Sequence, residues 1–233
     1  MMSIRLLQEK QKKIQQKSDF YTPSGIHVYF KDSLLSDTID MERLMAKVEG
    51  KIPLHLLSEV EMIIVGSFDE FEERSINAFY EDGTLFLSNM QDNEADMYDD
   101  IIHEVAHSLE PVYGRQLYAD QKLQNEFLGK RKHMHDLLWS KGIKVPQSFF
   151  LNLEYNEEFD DFLYKKIGYN ELASMLTGIF VSPYAATSLR EYFATGFTEF
   201  YLDSNHNFLQ RIAPQLYKKI ILLLDQEKLD NEY

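Results

Sequence analysis

Cysteine is absent from all 233 residues, and that single absence excludes disulfides, thiolate metal sites and cysteine nucleophiles. Any metal must therefore sit on histidine and carboxylate side chains. The lack of thiols also fits a reducing interior. Long apolar runs are missing too: Ile220 to Leu224 is the best candidate, far short of the roughly 20 residues that span a bilayer. No apolar segment with a cleavage site is found near the first residues, so neither a secretory signal nor a membrane partner is expected. A cytoplasmic location follows as the expectation, with export by another route or delivery in a virus particle left open. Positive charge is scarce, with 24 Lys and Arg against 38 Asp and Glu and a net charge of −14. Such a field repels phosphate backbones and argues against nucleic acid. It favours a basic peptide, although acidity of this size also simply keeps a chain soluble.

What is present points to a folded protein. A hydrophobic share of 44% with 13% aromatics supports a core rather than disorder. The length suits one sizeable domain or two small lobes sharing a cleft, and sets no oligomeric state. Met1 to Lys17 is polar and basic (Arg5, Lys10, Lys12, Lys13, Lys17) and reads as a surface helix or arm over residues 1–20. Residues 21–233 then form one domain, with a front lobe to about residue 111 and a helical lobe over 112–233. Strand patterns occur at Ile26 to Phe30, at Met62 to Val65 before Gly66, and at Thr84 to Leu87 after Asp82-Gly83. Asn77 to Phe79 pairs with the last of these as a hairpin across Tyr80 to Gly83. Thr38 to Val48 reads as a helix stopped by Gly50. Beyond about residue 90 the pattern is helical, broken by turn signals at Glu110-Pro111, Gly142 to Pro146 and Val181 to Pro183.

One helix carries chemistry. Asp92 or Asn93 can cap it and Pro111 ends it, while Tyr98, Ile101, Ile102, Val105 and Leu109 follow the i, i+3, i+4 rule of a buried face. His103 and His107 stand one turn apart beside that face, in an HExxH motif. Two imidazoles at this spacing can converge on one ion, and zinc accepts nitrogen ligands in a tetrahedral array. Glu104 then stands beside the metal, placed to take a proton from metal-bound water.

Two ligands do not complete a zinc site. Tyr113 occupies the place where a third histidine would extend the motif. Glu110 points past the ion on a straight helix and suits an acceptor role toward a ligand imidazole. His133 and His135 fall in the charged run Lys130 to Asp136, which reads as a solvated helix face. Glu191, in the amphipathic segment Ser188 to Phe200, is the best third candidate. Ser188-x-x-Glu191 is equally a capping box, in which the glutamate merely closes a helix end. The pattern alone leaves both readings open.

Glu191-Tyr-Phe-Ala194 resembles the third-ligand helix of the anthrax lethal factor-like metallopeptidases. In that family a glutamate followed by two aromatics and alanine completes the zinc site, and a tyrosine stands seven residues earlier, where this chain has Tyr184. Ser108-Leu-Glu110 is similar to the continuation that the family shows after its second histidine, and the Pro-Pro endopeptidases share the arrangement. The resemblance covers the HExxH helix and residues 184–200, and the preceding strands more loosely. It implies a zincin-like α+β domain: a small twisted mixed sheet with the HExxH helix, and a mostly helical second lobe. It implies Zn2+ on His103, His107 and Glu191, Glu104 as general base, Tyr184 as oxyanion donor, and hydrolysis of a peptide or protein. A strand at the place of Thr84 to Ser88 borders the cleft in zinc peptidases of this shape, so Thr84, Leu85 and Phe86 are expected to receive an extended substrate by main-chain hydrogen bonds. One departure stands out: His107 and Glu191 are 84 positions apart (191 − 107), longer than the family pattern, so residues 112–182 carry an insertion of one or two helices. The rival reading is a catalytically silent, partner-binding or regulatory protein on the same scaffold.

Overall fold

The computed structural model describes residues 19–74 and 76–231; the basic arm read at Met1 to Lys17 lies outside them. The chain forms two compact units that divide between Leu109 and Glu110.

The first unit holds five strands: β1 (Phe20–Tyr21), β2 (His27–Phe30), β3 (Met62–Gly66), β4 (Ala78–Glu81) and β5 (Thr84–Ser88). They lie in the order β1-β2-β3-β5-β4. β2, β3 and β5 run parallel, while β1 and β4 are antiparallel to their neighbours. Val28, Ile63, Val65, Leu85 and Leu87 are fully buried, as period-two alternation over a core requires. Phe20, expected in the arm, belongs to the sheet and pairs with Val28; a two-residue strand is too short to leave a periodic signal.

Parallel neighbours need a crossover, and helix α1 (Met41–Lys51) lies in the one between β2 and β3. Asp40 caps it by accepting from the Arg43 amide at 3.1 Å, and Met41, Leu44, Met45 and Val48 form its buried face. Gly50 lies inside this helix rather than stopping it. A short helix, α2 (Asp69–Arg74), follows β3. The hairpin turn is tighter than expected. Glu81 pairs with Thr84, and only Asp82 and Gly83 turn, at φ 42° and 81°, the doubly positive arrangement that Asp-Gly favours.

The expected role of β5 is overturned here. Thr84, Leu85 and Phe86 pair with Met62, Ile63 and Ile64 on one side and with Glu81, Tyr80 and Phe79 on the other. With both edges used, the strand cannot accept an added peptide. The reason is the Asp82-Gly83 turn, which folds β4 back onto the side of β5 that would have stayed open.

Helix α3 (Glu94–Tyr118) opens on Asn93, whose Oδ1 accepts from the Ala95 and Asp96 amides at 2.8 and 3.1 Å. Tyr98, Ile101, Ile102, Val105 and Leu109 are all buried, as their spacing predicts. Pro111 does not end it: the helix continues to Tyr118. An interior proline removes one amide donor and costs about 3 kcal/mol or more, so something must offset it. The Tyr118 hydroxyl donates to Glu110 across the proline, Leu117 is buried, and the Gln116 carbonyl accepts from the Lys219 ammonium. Burial and the Glu110 charge push the Tyr118 phenol far above its ordinary range, so it remains a donor.

The second unit is helical. It contains α4 (Lys122–Ser140), α5 (Glu157–Asp161) running into π-helical turns at Phe162–Ile167, α6 (Tyr169–Met175), α7 (Leu189–Leu202), α8 (Asn207–Ile212), α9 (Pro214–Leu223) and α10 (Gln226–Asn231). A mixed α+β chain with a small mixed sheet and a helical second part is the result. Among the described residues no helix is long and apolar enough to cross a membrane.

Helix α4 corrects the expectation that Lys130 to Asp136 is a solvated face. Its buried side is Leu123, Phe127, Arg131, Met134 and Leu138, and Arg131 is 1% exposed. The Arg131 guanidinium donates to the carbonyls of Asn152 and Thr187 and lies over the rings of Phe127 and Phe159 at 5.0 and 4.4 Å. Burial lowers its pKa to about 10. His133 is exposed, but the His135 ring meets Phe150 at 5.0 Å. Glu126 also faces inward, accepting from the Tyr192 hydroxyl at 2.9 Å and from the Gln215 and Leu216 amides at 2.8 and 3.1 Å. It thereby satisfies the first turn of α9, whose amides have no intrahelical partner.

Arg131→Met is expected to destabilise the protein by about 2–5 kcal/mol, because the buried Thr187 carbonyl and the part-buried Asn152 carbonyl lose their donor. Chemical denaturation reads this directly; an unchanged midpoint would mean that water or another side chain replaces the guanidinium.

Candidate metal centre

Helix α3 carries His103, Glu104 and His107. The two imidazoles lie one turn apart with ring centroids 5.0 Å apart and planes at 75°. His107 and Glu104 are each 8% exposed, and His103 is half-buried. Solvent is thus largely withdrawn from the two residues that would have to bind a cation and move a proton, which strengthens electrostatic interactions there.

Two carboxylates one turn earlier on α3 carry no signal in the sequence. Asp99 and Asp100 both have raised pKa values, chiefly from burial. For Asp100 the value reaches about 6: burial is the main cause, the Gln91 hydrogen bond at 3.0 Å opposes it, and the charges of Asp99 and Glu104 add to it. His103 acts on both in the lowering direction. This half of the site therefore carries more negative charge than its solvation supports, a condition that a bound cation relieves.

A pH dependence follows. The folded pKa of Asp100 lies above its ordinary value of 3.8, so its stabilising contribution is complete below about pH 4 and is lost as pH rises through about 6. Asp100→Asn keeps an acceptor for Gln91 and removes the charge. In the presence of a chelator it should stabilise the protein at pH 7.5 by at most about 3 kcal/mol, and change little at pH 4. Equal melting temperatures at pH 7.5 would show that Asp100 is better solvated than its surroundings indicate.

Glu191 is half-buried in the first turn of α7. Ser188 is the N-cap, and its Oγ accepts from the Glu191 amide at 3.1 Å. The capping reading and the ligand reading are therefore compatible, since the cap uses the backbone of Glu191. The preceding segment is fixed from both sides. Thr187 donates from its amide and hydroxyl to the Tyr184 carbonyl at 3.0 and 2.8 Å, and its own carbonyl accepts from Arg131 at 3.1 Å. Tyr184 is half-buried in the 3-10 turn Tyr184–Ala186. Glu110, expected as an acceptor for an imidazole, has its two oxygens on Tyr118 Oη and Arg190 Nε.

One donor atom from each of His103, His107 and Glu191 lies within 4.8 Å of the other two. Donors around one tetrahedral ion at bond lengths of about 2.0–2.2 Å stand roughly 3.3 Å apart. Two imidazoles and a carboxylate can hold a metal ion; the donor set by itself does not single out zinc. Comparison with family models, with curated proteins and with solved structures finds no match.

Proposed function

We propose that the chain is a zinc-dependent endopeptidase with a zincin-like fold, akin to the lethal factor-like metallopeptidases. The observation that carries the proposal is the meeting of His103, His107 and Glu191 in a chain whose HExxH motif puts a glutamate between the two histidines. Two nitrogens and one carboxylate oxygen, with no thiolate in the chain, match the three-ligand sets of catalytic zinc sites, which leave a position for water or substrate.

Zinc held by these residues would supply Lewis acidity, lowering the pKa of water and polarising the scissile carbonyl. Glu104 takes the proton of the attacking water and returns it to the leaving amine. The Tyr184 phenol donates to the developing oxyanion. Glu110 holds Arg190, the neighbour of Glu191, and Arg131 holds Thr187 just before the Ser188 cap; both act by positioning the ligand helix. The substrate strand adds at β4, one of the two outer strands of the sheet, because only an outer strand has main-chain groups to offer. The net charge of −14 attracts basic peptides.

The test is metal removal. Purified protein should carry about one zinc per chain and cleave members of a peptide library; a chelator should abolish both, and added zinc should restore both. A zinc-loaded protein that leaves every library intact would favour the binding-protein alternative.

A further inference from the structure

The outward face of the sheet in the first unit is largely apolar and only partly covered. Directly paired residues of neighbouring strands point to one side, so Tyr21, His27, Met62, Thr84 and Glu81 form one row across all five strands. Tyr29, Ile64, Phe86 and Phe79 form the next. Val28, Ile63 and Leu85, which alternate with them, are fully buried on the other side. At the β4 end of the second row, Phe68 and Phe71 pack edge-on against Phe86 and Phe79 at 5.2 and 5.8 Å. The β1 end stays open: Tyr21 is 70% and Tyr29 40% exposed, and the Tyr21 ring stacks on His27 at 4.6 Å. Parallel strands are as a rule covered on both faces, and a contiguous apolar surface of this kind marks a place where something docks.

The chain's own basic arm fits this surface in pattern, length, position and charge. At helical spacing, Ile4, Leu7, Gln8, Gln11, Ile14 and Gln15 make an uncharged stripe, and Arg5, Lys10, Lys12, Lys13 and Lys17 all fall outside it. Residues 4–15 as a helix are about 18 Å long, against about 19 Å across five strands. The described chain enters β1 at Phe20, beside the open end of the face. The arm is therefore tethered to that surface, at an effective concentration on the order of millimolar. It carries five basic residues and one acidic, Glu9. Glu81 ends the first row, and Asp82 and Glu61 adjoin it, the Glu61 amide donating to the Gly83 carbonyl at 2.8 Å. All three carboxylates are exposed and have no ion-pair partner among the described residues.

We propose that residues 4–15 dock as an amphipathic helix on the outward face of this sheet, within the same chain. Ile4, Leu7 and Ile14 rest on the open part of the face around Tyr21, Tyr29 and Ile64, and the flanking lysines reach the carboxylates at its margin. The contact is separate from the candidate metal centre and does not depend on it.

Because the chain has no cysteine, Tyr29→Cys places a single thiol on the open part of the face. A maleimide should modify that thiol in the full chain at least about tenfold more slowly than in the same chain carrying Ile4→Asp, Leu7→Asp and Ile14→Asp, with each protein kept well below its melting temperature. Leu7→Asp alone should speed the reaction several-fold, a readout that stands if the triple variant folds poorly. Leu6→Asp lies off the stripe and should leave the slow rate within about twofold. The protection should also be independent of protein concentration, as an intramolecular contact requires. Equal rates with and without the stripe substitutions, or an equal effect of Leu6→Asp and Leu7→Asp, would overturn the proposal. So would protection that disappears on dilution, which would assign the face to a second copy of the chain.

Discussion

If the chain is the peptidase proposed above, glutamine at position 104 is expected to leave zinc in place and to remove peptide hydrolysis. The expected loss is at least roughly 10³-fold in kcat, in keeping with the 10²–10⁴ that a positioned general base contributes. Glu104→Gln is a demanding test because so little else changes. The side chain is 8% exposed, the replacement has the same shape, and the carbonyl half of the amide still accepts. What disappears is the capacity to take a proton. Because the Glu104 charge is one of the causes that raise Asp100, the variant should also lower the Asp100 pKa. That second, non-catalytic effect is visible by titration in the metal-free protein and confirms that the substitution altered the local field rather than the fold. Near-normal turnover with full zinc would place the base elsewhere. Loss of zinc together with turnover would mean that Glu104 organises the imidazoles instead of moving protons.

The parts of this molecule that are legible in the sequence are those decided within one or two helical turns. The buried stripe from Tyr98 to Leu109, the Asn93 cap, the i, i+4 pair of imidazoles and the Asp82-Gly83 turn all rest on neighbours a few residues away. What the pattern misses depends on partners distant in the chain. Pro111 reads as a stop, yet the helix continues because Tyr118, Leu117 and Gln116 are engaged beyond it. β5 reads as a strand, but the pattern leaves open whether it borders a cleft or is internal, since its place is set by which side β4 folds onto. Arg131 is hidden by its charge, although its position is legible: it falls in phase with Leu123, Phe127, Met134 and Leu138, where a core residue belongs. A charged residue in register with an apolar stripe signals a buried donor to backbone. Asp99 and Asp100 give no such signal, because burial of a carboxylate depends on surfaces that a helical pattern does not describe.

Alanine at position 191 should separate the two roles that the sequence pattern leaves entangled. The Ser188 cap engages the Glu191 amide, and alanine keeps that amide, so the cap survives Glu191→Ala. The stability change in a chelator should accordingly stay within about 1 kcal/mol, the scale of a lost cap. Zinc content should fall at least about tenfold, because removing a direct ligand exceeds the 10–100-fold affected by residues that merely support ligands. Zinc per chain, chelator competition and metal-free melting together decide between ligand and cap. Glu191→Gln sharpens the distinction: the amide preserves side-chain volume and hydrogen bonding but removes the charge that a ligand role requires, so under that role its zinc affinity should resemble that of the alanine variant. Full zinc occupancy in both variants, with only a small loss of stability, would leave Glu191 as a helix-end residue. The two histidines of α3 would then hold any ion without it, and the peptidase proposal would lose its third ligand.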